Sequence, residues 1–514
     1  MKPSVAVPAA NIERRSTVTL NAIGTYFLAL AATKLISIAM LPVYTRLFNP
    51  VQYGVWELID FSVQLVALLF GMQLPVATVY HLSLAKEKEE ILSTAVIGAG
   101  ILGVVICSSV VLASRPISIL VFGVPHYTNE LRVGASALLF SFPGAVALAY
   151  IRLTNRVRLY VAILFARLGA QIGFTLFFVM SLHKGILGAL YGALIASFLS
   201  GTAAVISSVA CQHLSFSWYL FSKQIQYGGF LALSEALAYI VNYGDRPLLA
   251  RSVPLSEVGL YSLAYKGGML IVYMQKAINL HWNTQIFAIA AEKDSVMRIR
   301  RARTRIILVL IGVAVILALF SHIAIALLLS RAFERCSSLV PFVLGAYVLR
   351  GVAEQLRSQF LVLGATRTDF VVNAVSTSVC VVCYLWLIPI LRVWGAIIAT
   401  ILSFAAMTLV AYVLLGEERH LAIGIGRIGK AAGIGSFVVG IFCWMRPGNL
   451  WAEGALALCS SACFVMIMLL VSCDREDRRE ILFLLHAVPA LKAVTEPFRP
   501  RRAERADRAS GGNG

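Results

Sequence analysis

The chain has 514 residues, of which 59% are hydrophobic and only 13% are charged, and its formal net charge is +19. Soluble domains contain about 25% charged residues, so this composition excludes an ordinary soluble domain and indicates a surface that faces lipid. Basic loops and tails of a membrane protein explain the positive charge, so nucleic acid is not an expected partner.

Apolar segments long enough to cross a membrane, about 20 residues each, recur along the whole chain. The first follows a polar segment, residues 1–16, and is too long for a signal-peptide core, so we interpret it as an uncleaved helix. The residues after the last segment, 474–514, form a basic cytoplasmic tail. The pattern predicts an all-α polytopic membrane protein with fourteen transmembrane helices at 17–45, 55–80, 91–114, 131–152, 158–181, 185–209, 224–250, 257–283, 304–329, 338–362, 367–390, 393–415, 425–446 and 450–472.

The basic residues predict the orientation of these helices. With the N-terminus in the cytoplasm, most of the 44 lysines and arginines fall on cytoplasmic segments, as the positive-inside rule requires. Both termini are therefore expected in the cytoplasm. Five further cations fall inside predicted helices: Lys34, Arg167, Lys266, Lys276 and Arg350.

Three pairs of short segments match in order at nearly one offset. RLFNPVQYGVW at Arg46 matches RSVPLSEVGLY at Arg251, LVFGVPHY ending at Tyr127 matches LLLSRAF ending at Phe333, and GALYGALIAS at Gly188 matches GAIIATILSF at Gly395. The repeated unit has six helices, an even number, so both copies have the same orientation in the membrane. Repeats of this kind place a substrate between two lobes.

The repeat predicts the domain organisation. We expect an N-lobe of helices 1 to 6 and a C-lobe of helices 7 to 12 around a central cavity, with two extra helices appended to them. The predicted parts are residues 1–16, 17–209, 210–415, 416–473 and 474–514.

Polar residues recur at helical spacing inside several predicted helices. Charges in a membrane core are costly and usually face the bundle interior or a hydrated cavity, so these stripes predict such a cavity. The clearest stripes are Glu57, Asp60 and Gln64 in the second helix, Glu235, Tyr239, Asn242 and Asp245 in the seventh, Lys266, Tyr273, Lys276, Asn279 and Asn283 in the eighth, and Arg350, Glu354 and Arg357 in the tenth.

Set against Asp60, Glu235 and Glu354, the five cations leave a formal excess of two, and a cationic cavity suits an anionic, phosphate-bearing cargo. We therefore predict that Lys34, Arg167, Lys266, Lys276 and Arg350 bind substrate, and we name Asp60, Glu235, Asp245, Arg246 and Glu354 as candidates for ion coupling or gating.

Each of these residues also has a structural interpretation. Lys34 could extend toward an interface, and Arg350 and Glu354, one turn apart, could simply neutralise each other. Glu57 and Asp60 lie near a helix start, where acids favour the helix dipole. Asp245 and Arg246 are expected where an apolar segment stops and meets water, before a turn through Pro254, and they could lock this helix end.

Three stretches carry a family resemblance: LPVYTRLFNPVQYGVWELI from Leu41, YGDRPLLARSVPLSEVGLYSLAYK from Tyr243 and GILGALYGALIAS from Gly185. With them the chain resembles the Wzx-type polysaccharide biosynthesis flippases, which translocate O-antigen and exopolysaccharide units and belong to a wider group with multidrug exporters of the MATE type. The resemblance covers residues 17–472. It implies transfer of a polyprenyl-diphosphate-linked oligosaccharide to the outer leaflet of a bacterial inner membrane. It also implies contact with membrane lipid, and the polymerase and chain-length proteins of the same pathway are candidate partners.

Other classes of protein fit the sequence less well. A membrane glycosyltransferase or polymerase would need a large extracytoplasmic loop with catalytic acids, and the longest such loop, residues 114–130, carries only Glu130. Gly429 and Lys430 are followed by alanine instead of Ser or Thr, so no Walker A motif is present. No metal or cofactor site is predicted: the eight histidines form no cluster, and Cys380 and Cys383 fall inside an apolar helix. A multidrug exporter of the MATE type, driven by H⁺ or Na⁺, remains the alternative function.

Overall fold

The computed structural model describes residues 40–84, 88–210, 213–290, 295–362, 365–416 and 423–472. These residues form helices and the turns that join them, with no β-strand among them. An all-α protein is therefore confirmed. Most of the predicted first helix, with Lys34, and the basic tail lie outside the described residues.

The first half of the described chain forms ten helices. A single-turn 3₁₀ helix at Pro125–Tyr127 precedes α6, and a π-helical turn at Phe177–Ser181 follows α8. The ten α-helices are α1 Leu41–Leu47, α2 Pro50–Phe70, α3 Leu74–Leu84, α4 Lys88–Leu112, α5 Ser114–Phe122, α6 Thr128–Ser136, α7 Leu138–Leu153, α8 Val157–Leu176, α9 Gly185–Val209 and α10 Trp218–Tyr243.

The second half forms seven more helices, several of them long. A 3₁₀ helix at Arg331–Ser338 precedes α14, and α15 contains a break at Arg392. The seven are α11 Asp245–Ser252, α12 Leu255–Ala290, α13 Ser295–Leu328, α14 Val340–Val362, α15 Thr366–Leu414, α16 Ile425–Met445 and α17 Leu450–Val471.

Within the described residues, nine helices are long and apolar enough to cross a membrane, or ten if the bent pair at residues 331–360 is one span. The predicted count of fourteen is therefore not confirmed. The predicted helices 367–390 and 393–415 are both present in α15, which consists of two helices that meet at the non-helical residue Arg392 and together count as one of the nine. The predicted helices 224–250 and 257–283, which correspond to α10 to α12, are not among the nine; polar side chains spread along α10 and α12 lower their mean hydropathy.

The apolar segment that was expected to stop at Asp245 and Arg246 continues as a further helix, and the turn lies at Pro254, where it was expected. After Gly244 the backbone continues as α11 to Ser252, and Val253 is the extended residue at which the direction changes. Pro254 then precedes α12. Asp245 and Arg246 are both buried, so the interpretation that they mark the point where the helix meets water is wrong.

The chain divides into two compact units. Unit 1 comprises the residues up to Gly268 together with Ala324–Ala346 and Val371–Met407, and unit 2 comprises the rest. The core of unit 1 includes a cluster of buried residues from α3, α4, α7 and α10, among them Leu74, Ala95, Val146 and Phe221. The division into lobes at residues 209 and 415 remains a prediction.

The three matched segment pairs have matching local structure. Gly54 of α2 packs on α12, where an added Cβ would lie 3.1 Å from the amide nitrogen of Gly259 and against the carbonyl oxygen of Leu255. Gly259 packs on α2 in the reciprocal way, with an added Cβ 3.0 Å from the amide nitrogen of Gly54 and against the carbonyl oxygen of Pro50. Two equivalent positions that contact each other reciprocally are the signature of a two-fold axis between repeats.

The other two matches also share their geometry. Tyr127 ends the first 3₁₀ helix, and its counterpart Phe333 lies in the second. Gly185, at the start of α9, has φ +53°, and its counterpart at the same offset, Arg392, also has φ +53°. The repeat found in the sequence is thus present in the backbone.

Candidate functional site

Two cations of unit 1 contact Glu57, a buried residue of α2. Its Oε1 atom lies 2.5 Å from Nζ of Lys266 on α12. Its Oε2 atom lies 3.7 Å from Nε of Arg246 on α11. One carboxylate therefore joins three helices.

Arg246 is fully buried and is held by contacts on several sides. Its Nε atom donates a hydrogen bond to Oγ of Ser262 at 3.0 Å, and its guanidinium carbon lies 4.5 Å from the centre of the Tyr243 ring. Its Nη1 atom is 3.9 Å from the carboxylate of Asp245, which also accepts a hydrogen bond from the hydroxyl of Tyr261. A buried guanidinium with these partners is fixed in position.

Local sequence places these groups on facing sides of their helices. Asn49 caps α2 by accepting from the amide of Gln52, and Pro50 occupies its first turn. Residues 53, 57, 60 and 64 then follow at spacings of three and four and share one face of α2. On α12, Ser262 and Lys266 are one turn apart, so one reaches Arg246 and the other reaches Glu57.

One side of the site is open. The side chain of Lys266 is 35% exposed, whereas that of Glu57 is 8% exposed. Asp60, one turn along α2, is exposed and interacts with Gln64. The ring centre of Tyr53 lies 4.9 Å from Nζ of Lys266. Lys266 and Asp60 are thus the charged groups that a ligand could reach first.

We call Glu57, Asp60, Asp245, Arg246 and Lys266 the Glu57 cluster. It contains three acids and two bases, all in unit 1. By itself the cluster is therefore not cationic, because Glu57 neutralises the lysine that was expected to bind an anion. Lys34, the other predicted cation of the first helix, lies outside the described residues.

The remaining predicted residues of unit 1 lie apart from these contacts. Arg167 is half-buried in α8 and forms no ion pair with a described residue, and Glu235 is exposed on α10. One turn after Glu235, the ring of Tyr239 stacks on Phe61 of α2 with ring centres 5.7 Å apart. The face of α10 that carries Glu235 therefore contacts α2 one turn further along, at Tyr239.

Unit 2 contains the other three predicted residues. Lys276 is exposed on α12 and forms no ion pair with a described residue. Arg350 and Glu354 form an ion pair along α14, with Nε and Oε1 3.5 Å apart. This is the mutual neutralisation that their spacing suggested.

Several residues with important contacts were not predicted as site residues. Glu57 was interpreted as an acid at a helix start, although its spacing with Asp60 and Gln64 was the signal that could have identified it. Arg303 precedes the predicted helix at 304–329, yet it is buried within α13 with Nη1 2.5 Å from Oε1 of Gln359. Glu453 was not considered; it is buried and lies 2.9 Å from His322 and 3.1 Å from Arg446.

The family model described as "Polysaccharide biosynthesis protein" matches residues 20–279. No curated protein matches the sequence.

Solved structures show the same fold at low sequence identity. The chain is similar to the lipid II flippase MurJ in an inward closed conformation, with 13% identity, a TM-score of 0.69 and coverage of 88% of this chain and 99% of that one. It is also similar to an inward-facing multidrug resistance transporter of the MATE family, with 14% identity, a TM-score of 0.61 and coverage of 78% and 98%. A transporter of the same superfamily from Pyrococcus furiosus matches with 14% identity, a TM-score of 0.54 and coverage of 78% and 96%. These likenesses identify a membrane transporter fold.

Proposed function

We propose that this chain, which belongs to the polysaccharide biosynthesis protein family, is a flippase for a polyprenyl-diphosphate-linked oligosaccharide. The cargo would move from the cytoplasmic to the outer leaflet of a bacterial inner membrane, for the synthesis of a cell-surface polysaccharide such as O-antigen or exopolysaccharide. Both termini would lie in the cytoplasm.

The observation that carries the proposal is the combination of family and site. The family model spans the half of the chain that contains the entire Glu57 cluster. In that cluster Lys266 presents a partly exposed ammonium group, and Arg246 lies behind it as a fixed second cation. Ammonium and guanidinium groups are the side chains that bind phosphate oxygens with charge-assisted hydrogen bonds.

A solved structure with this fold is named as a lipid II flippase, which gives the proposal a precedent for lipid-linked cargo. In the proposed cycle the diphosphate and sugars pass through a hydrated cavity while the lipid tail remains in the bilayer. The protein alternately opens to each side. Lys276 and Arg350 are the proposed cations of unit 2, and Lys34 and Arg167 those of the N-terminal half. Asp60, Glu235 and Glu354 are the candidates for exchange of H⁺ or Na⁺.

The test is transport by the purified protein in lipid vesicles. Vesicles would be loaded with a fluorescent polyprenyl-diphosphate oligosaccharide, and the fraction accessible to an external glycosidase would be followed in time. We expect the wild type to equalise the two leaflets faster than empty vesicles do. A Lys266→Met variant should be slower, because it removes the exposed cation of the site.

The second candidate function is ion-coupled export of cationic drugs. The excess of acids in the Glu57 cluster favours it, since carboxylates bind organic cations, and a second solved structure with this fold is named as a multidrug transporter. The same vesicles distinguish the two functions. Uptake of a fluorescent cationic drug driven by a proton or sodium gradient, with no movement of the oligosaccharide lipid, would favour the exporter.

A further inference from the structure

The ion pair of Glu57 and Lys266 has one open side and one closed side. The Lys266 side chain is 35% exposed and the Glu57 side chain only 8% exposed, although their charged atoms are 2.5 Å apart. An anion that enters from the open side therefore meets the ammonium group before it meets the carboxylate. Lys266 is therefore the more accessible of the two charges.

If Lys266 turned away, the negative charge of Glu57 would still be partly compensated by Arg246. Its second oxygen is 3.7 Å from the buried guanidinium of Arg246. Leaving a buried charge without any partner is the expensive event when an ion pair is broken. Here Arg246 continues to compensate Glu57, so Lys266 can exchange one anionic partner for another.

From this geometry we infer that Glu57 is an internal counter-ion that occupies Lys266 in the absence of cargo, and that the diphosphate of the cargo displaces it. The inference rests on the proposed function and adds a step to it, since the carboxylate and the diphosphate compete for the same ammonium group. No covalent bond changes in this exchange. Glu57 thereby limits binding to anions that can compete with a carboxylate.

The exchange also affects the contact between the two repeats at Gly54 and Gly259. Glu57 follows Gly54 by one turn on α2, and Lys266 follows Gly259 by two turns on α12. The ion pair and the glycine contact therefore hold the same two helices together. When the diphosphate takes Lys266, the ion pair between the two helices is lost, whereas the glycine contact and the weaker link through Arg246 remain. Binding of cargo thus weakens the contact between α2 and α12 in unit 1.

The experiment measures binding of farnesyl diphosphate and of inorganic diphosphate to the purified full-length protein in detergent. We expect Glu57→Gln to bind farnesyl diphosphate about tenfold more tightly than the wild type, because Lys266 is then free to form a charge-assisted hydrogen bond. The matched control is Glu130→Gln, which removes a carboxylate of unit 1 that forms no ion pair with a described residue. It should bind as the wild type does.

The double variant Glu57→Gln with Lys266→Met identifies the cation involved. The double variant should lose the tighter binding of farnesyl diphosphate that Glu57→Gln shows. Tighter binding that persists without Lys266 would overturn the inference. Glu57→Asp provides a second route if Glu57→Gln does not fold, because it keeps the charge but withdraws the carboxylate from Lys266. It should give a smaller gain, and unchanged or weaker binding in the folded variants would overturn the inference.

The two probes distinguish the sources of the phosphate group. An equal gain for both probes supports an exchange at the phosphates alone, and a gain only for farnesyl diphosphate supports an exchange in which the lipid also contributes.

Failure of the inference is separate from failure of the proposed function. A wild type that moves oligosaccharide lipid in vesicles while Glu57→Gln shows no gain would refute the counter-ion and leave the flippase. A gain in binding for Glu57→Gln, with no transport of oligosaccharide lipid by the wild type, would support the counter-ion and refute the flippase.

Discussion

Gly54 and Gly259 pack against each other so closely that each occupies the space where the other would place a side chain. They are equivalent positions of the two repeats, and each faces the backbone of the first turn of the other's helix. Because α2 and α12 approach through backbone atoms, neither residue can be larger than glycine without moving a helix. This contact fixes the distance across which Glu57 and Lys266 meet.

Replacement of either glycine by alanine should destabilise the protein. A methyl group at Gly54 would collide with the carbonyl oxygen of Leu255, and the expected loss is about 1–3 kcal/mol of the free energy of unfolding. Gly100→Ala on α4 is the control, because an added Cβ there meets nothing within 4 Å; alanine should be neutral or slightly stabilising. Denaturation in detergent measures these changes, and equal stability of the Gly54 and Gly100 variants would contradict the contact.

Tyr261→Phe should cost more stability than Tyr265→Phe, although both residues are buried on α12 one turn apart. The hydroxyl of Tyr261 donates to the carboxylate of Asp245, whereas that of Tyr265 pairs with the hydroxyl of Thr400 at 2.7 Å. Hydrogen bonds to charged groups contribute about 1.5–3 kcal/mol and neutral ones about 0.5–1.5. The midpoint of denaturation should therefore fall further for Tyr261→Phe. The same midpoint for both variants would show that the hydrogen bond from Tyr261 to Asp245 contributes no more stability than a neutral one.

Arg392→Gly should stabilise the protein. Arg392 has φ +53° and ψ −127° within α15, a conformation that a side chain disfavours and that costs about 1–3 kcal/mol. Its counterpart in the other repeat is Gly185. Arg392→Ala removes the same charged side chain but keeps the Cβ, so it should not show the gain. A stabilisation shared by both variants would assign the effect to loss of the arginine side chain instead of relief of backbone strain.

Glu453→Ala should be among the most destabilising changes in unit 2. Glu453 is 1% exposed and lies within ion-pair distance of His322 and Arg446, so its removal breaks two charge-assisted contacts, at about 1.5–3 kcal/mol. Glu354→Ala breaks an ion pair on the half-buried surface of α14 and should cost less than about 1 kcal/mol. Thermal unfolding in detergent compares the two. A loss for Glu453→Ala no larger than for Glu354→Ala would contradict the structural role of the buried carboxylate.

Local sequence patterns predicted much of the fold. The bounds of α9 agree with the predicted helix at 185–209, since an uninterrupted apolar segment with a glycine at its start has one interpretation. The repeat was also visible, because its glycines and aromatic residues occupy positions that the backbone requires. The count of fourteen helices is not confirmed, in part because polar residues lower the mean hydropathy of α10 and α12.

The site was less predictable because its partners are far apart in the chain. Helical spacing placed Glu57 and Lys266 on the polar faces of their helices, but no local pattern shows that position 57 meets position 266. Asp245 and Arg246 were expected at the water surface because charges usually lie there. In the structure each charge has an oppositely charged or hydrogen-bonding partner inside unit 1, which compensates for their burial.

The most direct test of the flippase function is deletion of the protein in its host, followed by mass spectrometry of polyprenyl-linked glycans and an assay of the leaflet in which they lie. If the protein is a flippase, a complete oligosaccharide-lipid should accumulate on the cytoplasmic side, and its mass would identify the cargo. Normal glycolipid levels on both sides, together with new sensitivity to cationic drugs, would contradict it and favour the exporter. Accumulation of a precursor that lacks one sugar would contradict it in favour of an enzyme.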